Sequence, residues 1–233
     1  MIPKTIHYCW FGGKPLPKSA IKCINSWKKF FPNYEIREWN ESNFDVNMIP
    51  YTKEAYEAKK YAFVSDFARF WVLHEHGGVY FDTDVEVIRP MEDIIAAGAF
   101  MGMEKAMTPN PQRLYVNPGI GLACTVNHPL WNAIIGQYKS FEHFDIQTQG
   151  TVCTITSDHL LSQGATLDGN LTECQGCTIY PADYFCPQAM MGAPIELTEN
   201  TRSIHHFDCT WLSWTVRLRV KIKNYFFSLF HIK

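Results

Sequence analysis

The first forty residues limit the possible fold more than any other part of the chain, because they predict a strand, a helix and a second strand in succession. Residues 5–10 are rich in β-branched and aromatic side chains, and residues 34–39 alternate apolar with polar side chains. Residues 19–31 lie between them and have apolar side chains at helical spacing, with Ser19 as the predicted N-cap and Pro32 as the stop. Such a succession forms a parallel βαβ unit, so an α/β fold is predicted.

The composition supports one globular domain. Of the 233 residues, 46% are hydrophobic and only 19% are charged. This is enough apolar material for a sizeable core, and it excludes a disordered chain, a collagen-like fibre and a coiled coil. No repeat and no low-complexity linker interrupts the sequence, so residues 1–211 are predicted to form a single domain.

The last segment differs in charge from the rest. The formal net charge of −2 argues against a protein that binds nucleic acid over its whole surface, and no nucleic-acid partner is expected. Residues 209–233 nevertheless contain five basic side chains and no acidic one, so they carry +5 and the residues before them carry −7. Two interpretations of the tail at 212–233 remain open. Residues 214–233 form either an amphipathic element at an anionic membrane surface or a last helix packed on the domain.

No segment has the length and apolar character of a membrane span, and the N-terminus lacks the pattern of a signal peptide. A cytoplasmic protein is therefore expected, peripheral at most to the inner face of the membrane. In that compartment the eight cysteines are expected to be reduced and mostly buried. Cys174 and Cys177 have the spacing of half a zinc site, but a second regular pair is missing, so a turn with two thiols is favoured.

A second informative region combines a long apolar pattern with charged residues. Residues 52–76 have a broad helical band of apolar side chains, which Gly77 and Gly78 end. Residues 79–88 then alternate between apolar and polar side chains. We predict a strand here, with four polar side chains on one face: Tyr80, Asp82, Asp84 and Glu86.

Two carboxylates that are two residues apart on one strand face repel each other unless a cation lies between them. Asp82 and Asp84 have the hard oxygen atoms that Mg²⁺ or Mn²⁺ prefers, and such ions complete their coordination with water and a substrate diphosphate. Upstream, Asp66 and Arg69 are three residues apart on a predicted helix and can pair on one face of it. The turn at the two glycines brings this pair near Tyr80 and the two carboxylates. The residues therefore predict a site for a metal and a diphosphate.

Five segments of the sequence carry a resemblance to a known family. They lie at residues 2–13, 65–69, 77–85, 179–187 and 205–211. Together they resemble the DXD-containing sugar-transferase family, which includes bacterial capsular polysaccharide transferases and fungal initiating mannosyltransferases and is related to bacterial glucosylating toxins. The resemblance implies a GT-A fold, with a Rossmann-like nucleotide-binding half and a central, mostly parallel sheet flanked by helices. It also implies metal-dependent transfer of a hexose from a nucleoside-diphosphate sugar, by analogy a UDP-sugar, with retention at the anomeric carbon.

The resemblance implies roles for individual residues on the donor side. Trp10 matches the aromatic residue that stacks on the donor base, and Tyr80 falls on a position that contacts the donor. Asp66 and Arg69 match positions that hold the donor sugar and phosphate. Thr210 stands where relatives often have a serine and keeps its hydroxyl group, so it is also counted as donor-binding.

The implied metal is Mn²⁺ or Mg²⁺. Asp84 matches its direct ligand, Asp82 a residue that acts through water or ribose, and His206 a further ligand. Trp211 matches an aromatic residue that closes over the diphosphate. As the glycosidic bond breaks, the metal, Arg69 and the Trp211 indole are expected to stabilise the departing diphosphate. Asp66 and Asp84 complete the predicted catalytic set. Front-face attack by the acceptor is preferred, and a nucleophilic carboxylate is the alternative.

The expected acceptor is a saccharide or a lipid-linked saccharide in the synthesis of a cell-surface polysaccharide. Two other classes of protein could use the same site. A nucleotide-sugar hydrolase or pyrophosphatase would release the sugar to water without an acceptor. A non-catalytic carbohydrate-binding protein would retain the fold and would show no metal-dependent binding of the donor.

Overall fold

A computed structural model describes residues 1–108, 111, 113–210 and 214–231, and within the last helix it describes the side chains of residues 215–224. The predicted βαβ unit is confirmed as β1 (Thr5–Cys9), α1 (Lys18–Phe30) and β2 (Glu35–Trp39). β1 and β2 pair in parallel along their whole length. Helix α1 begins one residue before Ser19, so this serine lies in the first turn and Pro17 occupies the N-cap position.

The remaining elements follow in chain order. They are α2 (Pro50–Glu57), α3 (Tyr61–His76), β3 (Gly78–Tyr80), β4 (Val85–Val87), α4 (Glu92–Ala97), β5 (Ala99–Met103), β6 (Val116–Cys124), α5 (Pro129–Lys139), α6 (Ile146–Gln149), α7 (Val152–Ser162), β7 (Thr172–Cys174), β8 (Cys177–Tyr180), α8 (Ala182–Phe185), β9 (Ser203–His205) and α9 (Trp214–His231). The helices predicted at about 127–139 and 153–163 correspond to α5 and α7 and are confirmed.

The main sheet has seven strands in the order β2-β1-β3-β6-β5-β8-β7. β2, β1 and β3 run parallel, β6 runs against β3 and β5, and β8 runs parallel to β5. Only β6 and β7 therefore oppose the common direction among the strands that the structure describes. The predicted α/β fold with a mostly parallel central sheet is confirmed. A second, two-stranded sheet pairs β4 with β9.

The long helix predicted over residues 52–76 is wrong, because the chain forms two helices there. Residues 58–60 separate α2 from α3, and Lys59 has a left-handed backbone conformation with φ of 58°. A continuous helix cannot contain such a residue. The break turns α3 so that its apolar face packs on the main sheet while α2 packs on α3.

The single strand predicted over residues 79–88 is also wrong. β3 ends at Tyr80 between β1 and β6, and β4 begins at Val85 in the other sheet. A turn joins them, with the Val85 amide donating to the Asp82 carbonyl at 3.1 Å. Asp82 and Asp84 therefore lie in a turn between two sheets and not on one face of a strand.

Two apolar clusters cover the two faces of the main sheet. One joins the sheet to α3, α5 and α7, and the other joins it to α1, α4 and α8. All eight cysteines are free and six are buried, as the sequence predicts. Cys174 and Cys177 close the β7–β8 hairpin around Gln175 and Gly176, both at positive φ, so the favoured turn is confirmed.

The C-terminal tail is helical from Trp214 as far as the structure describes it. The predicted boundary between residues 211 and 212 falls within residues 211–213, which are outside the described part of the chain. The division into a domain and a tail therefore stays a prediction. No helix in the described part of the chain is both long enough and apolar enough to cross a bilayer.

Candidate active site

The site lies where β1 and β3 end. Both strands run in the same direction, so their carboxyl ends meet at one edge of the main sheet, where α/β proteins commonly bind ligands. Trp10 follows β1 directly, and the acidic turn follows β3. The Asp82 amide donates to the Gly119 carbonyl at 2.8 Å, and this bond holds the start of the acidic turn against β6.

A buried arginine is the centre of the site. The Arg69 side chain is only 4% exposed, and its Nη2 lies 2.8 Å from Asp66 Oδ1 and 3.3 Å from Asp82 Oδ1. The guanidinium lies over the Tyr80 ring at 5.2 Å from its centroid, and the Tyr80 hydroxyl donates to Asp82 Oδ1 at 3.0 Å. Arg69 Nε donates to the Ser65 carbonyl, which fixes the side chain along its own helix. The structure thus brings together four of the predicted donor-binding residues.

The charges in this cluster do not cancel. Burial raises the pKa of Asp66 to about 7, against the opposing effect of Arg69. Burial by itself would lower the pKa of Arg69, but Asp82, Tyr80 and Asp66 raise it well above its ordinary value, so the guanidinium stays charged. At neutral pH Asp66 is therefore close to half protonated, so Arg69 faces the Asp82 carboxylate and a partly charged Asp66. A ligand that supplies hydroxyl donors or a further cation would stabilise the remaining negative charge.

The second aspartate of the turn is held by β9 and the residues after it. Asp84 Oδ2 accepts the Asp208 amide at 2.9 Å and lies 3.4 Å from His205 Nε2. Burial alone would raise the pKa of Asp84, but His205 and the Asp208 amide lower it. The pKa of His205 is raised well above its usual value, because the Asp84 carboxylate outweighs burial. The pair therefore consists of a carboxylate and an imidazolium.

His206 faces away from this pair. Its Nε2 lies 2.8 Å from Glu86 Oε2, and Lys22 Nζ contacts the same oxygen at 2.8 Å. The three residues predicted as metal ligands are therefore not brought together: Asp82 faces Arg69, Asp84 faces His205, and His206 faces Glu86. In the part of the chain that the structure describes, no three His, Cys, Asp or Glu side chains form a group that could hold a metal.

Of the three other residues that the sequence places at the donor site, the structure describes Trp10 and Thr210. Trp10 is partly buried, and its indole N–H donates to the Lys14 carbonyl at 2.6 Å. Thr210 is exposed at the end of the described domain. Trp211 lies outside the described residues.

The sequence interpretation missed the wall of the site that β6 provides. The Asn117 side chain accepts the Gly119 amide at 2.8 Å and donates to Glu104 Oε1 at 2.7 Å. Gly119 lies against the Asp82 carboxylate so closely that a Cβ atom there would collide with it. The detectable signal was Asn-Pro-Gly inside an apolar stretch, since proline within a strand marks an irregularity. The β5–β6 register indeed shifts between Met101 and Gly102.

Comparison with known proteins agrees with this geometry. Residues 17–101 match the family described as the glycosyltransferase sugar-binding region containing the DXD motif. An uncharacterised glycosyltransferase of Acanthamoeba polyphaga mimivirus is 32% identical over 144 residues, which cover 58% of this chain and 54% of the relative. Inositol phosphoceramide mannosyltransferase 1 of Schizosaccharomyces pombe is 24% identical over 154 residues, which cover 61% of this chain and 44% of the relative. The chain thus spans about half the length of these relatives.

The fold has a counterpart among solved structures. A glycosyltransferase involved in the glycosylation of the major capsid of PBCV-1 superposes with a TM-score of 0.52 and 10% identity, over 94% of this chain and 100% of that one. The main sheet, with the acidic turn at the ends of β1 and β3, therefore has the GT-A fold that this structure shares. The region that matches the DXD-containing family, residues 17–101, includes Asp82, Thr83 and Asp84, which have the spacing of the DXD motif.

Proposed function

We propose that the protein transfers a hexose from a nucleoside-diphosphate sugar, by analogy a UDP-sugar, to a hydroxyl group of a saccharide acceptor in cell-surface polysaccharide synthesis. The observation that supports this most is the position of Arg69. A fixed, buried cation lies between Asp66 and Asp82 at the edge of the sheet, next to the turn that contains Asp84. An anionic leaving group and a polyhydroxylated sugar are the chemical groups that such a cluster binds.

Each part of the donor has a matching group at the site. Trp10 offers an aromatic face at the end of β1 for the base. The carboxylates of Asp66 and Asp82 can accept from sugar or ribose hydroxyls, and Arg69 can donate to the phosphate. This binding mode compensates the excess negative charge of the cluster, because neutral hydroxyl donors stabilise a carboxylate that Arg69 alone cannot satisfy.

The donor set of the acidic turn fits a hard divalent cation. Mg²⁺ and Mn²⁺ need only one or two protein carboxylates when a diphosphate and water supply the other oxygen atoms. Asp84 would be the direct ligand of the ion and Asp82 would act through water or ribose, as the family resemblance implies, and His206 stays the predicted further ligand. When bound, the ion supplies positive charge opposite the leaving diphosphate.

The residues of the chain favour retention by front-face attack. In this mechanism the acceptor oxygen bonds to the anomeric carbon as the bond to the phosphate oxygen breaks, and the acceptor proton passes to that phosphate. Arg69 stabilises the negative charge that develops on the diphosphate, and it does so without moving because its contacts are already fixed. Asp66 and Asp82 face Arg69, and Glu104 is held by Asn117. These contacts argue against any of the three carboxylates as the nucleophile of the alternative mechanism.

The experiment combines a binding screen with product analysis. Nucleotide sugars are tested by thermal shift with Mn²⁺ and with a chelator, and a donor at 100 times its dissociation constant should stabilise the fold by about 2.7 kcal/mol. Chromatography of the products with and without acceptor then identifies the reaction. Transfer to the acceptor supports the proposal, equal release of free sugar without acceptor supports a hydrolase, and binding without turnover supports a binding protein.

A matched pair of variants tests the role of the acidic turn. Asp84→Asn keeps an oxygen that can accept the Asp208 amide, but it removes the charge. We expect transfer to fall by about 100-fold or more, with cooperative melting retained. Asp168→Asn makes the same change on an exposed loop and should leave transfer unchanged. Wild-type turnover by Asp84→Asn would contradict the assignment of the acidic turn.

A further inference from the structure

Helix α9 presents two unlike faces. Between residues 215 and 224 most side chains are exposed, but Arg217, Val220 and Asn224 are partly buried. Their spacing of three and four residues places them on one side of the helix. The Lys221 backbone also lies against Gly192, where an added Cβ would be 2.6 Å from the Lys221 carbonyl oxygen. This side of α9 therefore faces the domain.

The other side of α9 exposes large apolar side chains. Leu218 and Ile222 lie one turn apart on the opposite half of the helix, and they are 49% and 50% exposed. Leaving such side chains in water forgoes the free energy of burying them. Leu218 also borders a cleft between α9 and the domain, together with Cys23 and Met191, whereas Ile222 does not line this cleft. Contact with the domain therefore leaves both side chains about half exposed.

Cations flank this apolar pair. Arg219 and Lys223 are exposed and follow Leu218 and Ile222 by one position each, while Arg217 and Lys221 border the other side. Arg217 lies 3.9 Å from Asp208. In the described part of the chain, no ion pair is found for the other three basic side chains.

We infer that the outer face of α9, formed by Leu218, Arg219, Ile222 and Lys223, docks on the surface of a bilayer that contains anionic lipid. A helix with an apolar stripe bordered by cations lies in the plane of the interface, with the stripe among the headgroups and the cations on lipid phosphates.

Charge decides between the possible occupants of this face. A second copy that packed its α9 against this α9 would bring one set of basic side chains against another set of the same sign, which opposes association. The domain itself has a charge of −7 over residues 1–208, whereas the tail has +5. An anionic surface therefore attracts α9 and repels the domain, so the protein would dock with α9 toward the lipid.

Vesicle co-sedimentation of the full chain tests the inference. Vesicles of phosphatidylcholine alone are compared with vesicles that contain about 30% phosphatidylserine, at low salt and at about 0.5 M NaCl. We expect at least about tenfold stronger partition to the anionic vesicles at low salt, and a large loss of partition at high salt. Equal partition to both kinds of vesicle, or none to either, would overturn the inference.

Variants separate the two contributions. Arg219→Gln with Lys223→Gln should lower partition by about 25-fold, roughly fivefold for each cation. Leu218→Ser with Ile222→Ser should lower it by about tenfold or more. The controls are Leu171→Ser, which alters an equally exposed apolar residue, and Lys139→Gln, on the opposite face of the main sheet, and both should bind as the wild type does.

Analytical sedimentation of the protein in solution tests the alternative that a second copy of the chain occupies this face. The inference would be overturned in favour of a second copy by two results together. The wild-type protein would form a dimer that the Leu218→Ser, Ile222→Ser variant does not form, and it would not bind anionic vesicles. Melting temperatures show that the variants fold. The assay contains neither nucleotide sugar nor acceptor, so its outcome is independent of the proposed transferase activity.

Discussion

At the scale of single residues, Gly119 is the glycine that lies most closely against a side chain of the candidate site, that of Asp82. Its carbonyl accepts the Asp82 amide, its amide is held by Asn117, and the space above its Cα is filled by the Asp82 carboxylate. The position of Asp82, the first aspartate of the motif, thus depends on the residue across the site being a glycine, which has no Cβ atom. The i, i+3 spacing predicted the Asp66–Arg69 pair, but nothing local predicts that a glycine 37 residues further on confines Asp82.

Gly119→Ala should therefore damage the site more than the fold. Its added Cβ would collide with the Asp82 carboxylate and lie 3.0 Å from Arg69 Nη1, so Asp82 must move away from Arg69. We expect kcat/KM for transfer to fall more than about tenfold, since small misplacements of binding groups have large effects. The loss of stability should be about 1–3 kcal/mol.

The control is Gly136→Ala in α5, where a Cβ would meet nothing within 4 Å. This change should leave kcat/KM unchanged and raise stability by about 0.5–1 kcal/mol, because alanine is the better helix former. Kinetics and urea denaturation of both variants provide the measurement. A Gly119→Ala enzyme with wild-type kcat/KM would show that Asp82 can move without consequence.

At the scale of elements, the fold brings segments that are distant in sequence against each other through glycines. Gly192 has φ of +84°, and an added Cβ would lie 2.6 Å from the Lys221 carbonyl oxygen of α9. The loop that contains Gly192 therefore packs directly on the helix backbone. Of the two interpretations of the tail, the structure shows a helix that contacts the domain and leaves an apolar face exposed.

Gly192→Ala should loosen α9 specifically. Gly164 is the matched control, because its φ of +86° is almost the same and a Cβ there would meet nothing within 4 Å. Both alanine variants should lose about 1–2 kcal/mol from the left-handed conformation. Only Gly192→Ala should increase amide hydrogen exchange over residues 215–224, measured by mass spectrometry. Equal exchange in the two variants would mean that the contact with Gly192 does not hold the helix.

At the scale of the whole molecule, a buried histidine links stability to pH. His7 lies in β1, between β2 and β3 in the main sheet, and is fully buried. The Trp39 indole N–H donates to His7 Nδ1 at 3.0 Å, so the proton of the neutral ring is on Nε2, which donates to the Gly77 carbonyl at 2.9 Å. Burial lowers the pKa of His7 to about 4, although the Gly77 carbonyl opposes this. Protonation would place a second donor opposite Trp39.

The wild-type protein should therefore lose stability in mild acid. The unfolded chain binds a proton at His7 below about pH 6.5, whereas the folded chain does not until about pH 4, so the stabilisation present above pH 6.5 is lost as the pH falls. The full loss is about 3 kcal/mol. Urea denaturation at several values between pH 7.5 and about 5 measures about 2 kcal/mol of this loss, above the range of most carboxylates.

His7→Gln provides the reference for that measurement. Glutamine can keep a donor toward the Gly77 carbonyl and cannot titrate. The variant should be less stable at pH 7.5 but should lose about 1.4 kcal/mol less per pH unit below pH 6. The other histidines are the same in both proteins, so their effects cancel in the difference. Parallel pH profiles would show that His7 accepts its proton in the folded state.

The sequence by itself determined what depends on neighbours along the chain. The βαβ unit follows from apolar periodicity over the first forty residues, and the Asp66–Arg69 pair follows from one turn of helix. The motif at Asp82–Asp84 is also a local pattern, and it lies in the region that matches the DXD-containing family.

The tertiary structure decided what depends on the pairing of distant strands. It placed the acidic turn between two sheets, because β3 pairs with β1 and β6 while β4 pairs with β9. The β4–β9 register also places His205 beside Asp84, and it places His206 in contact with Glu86. Local periodicity determines which side of an element is apolar. Strand order and register, which come from packing the whole chain, determine which polar groups meet there.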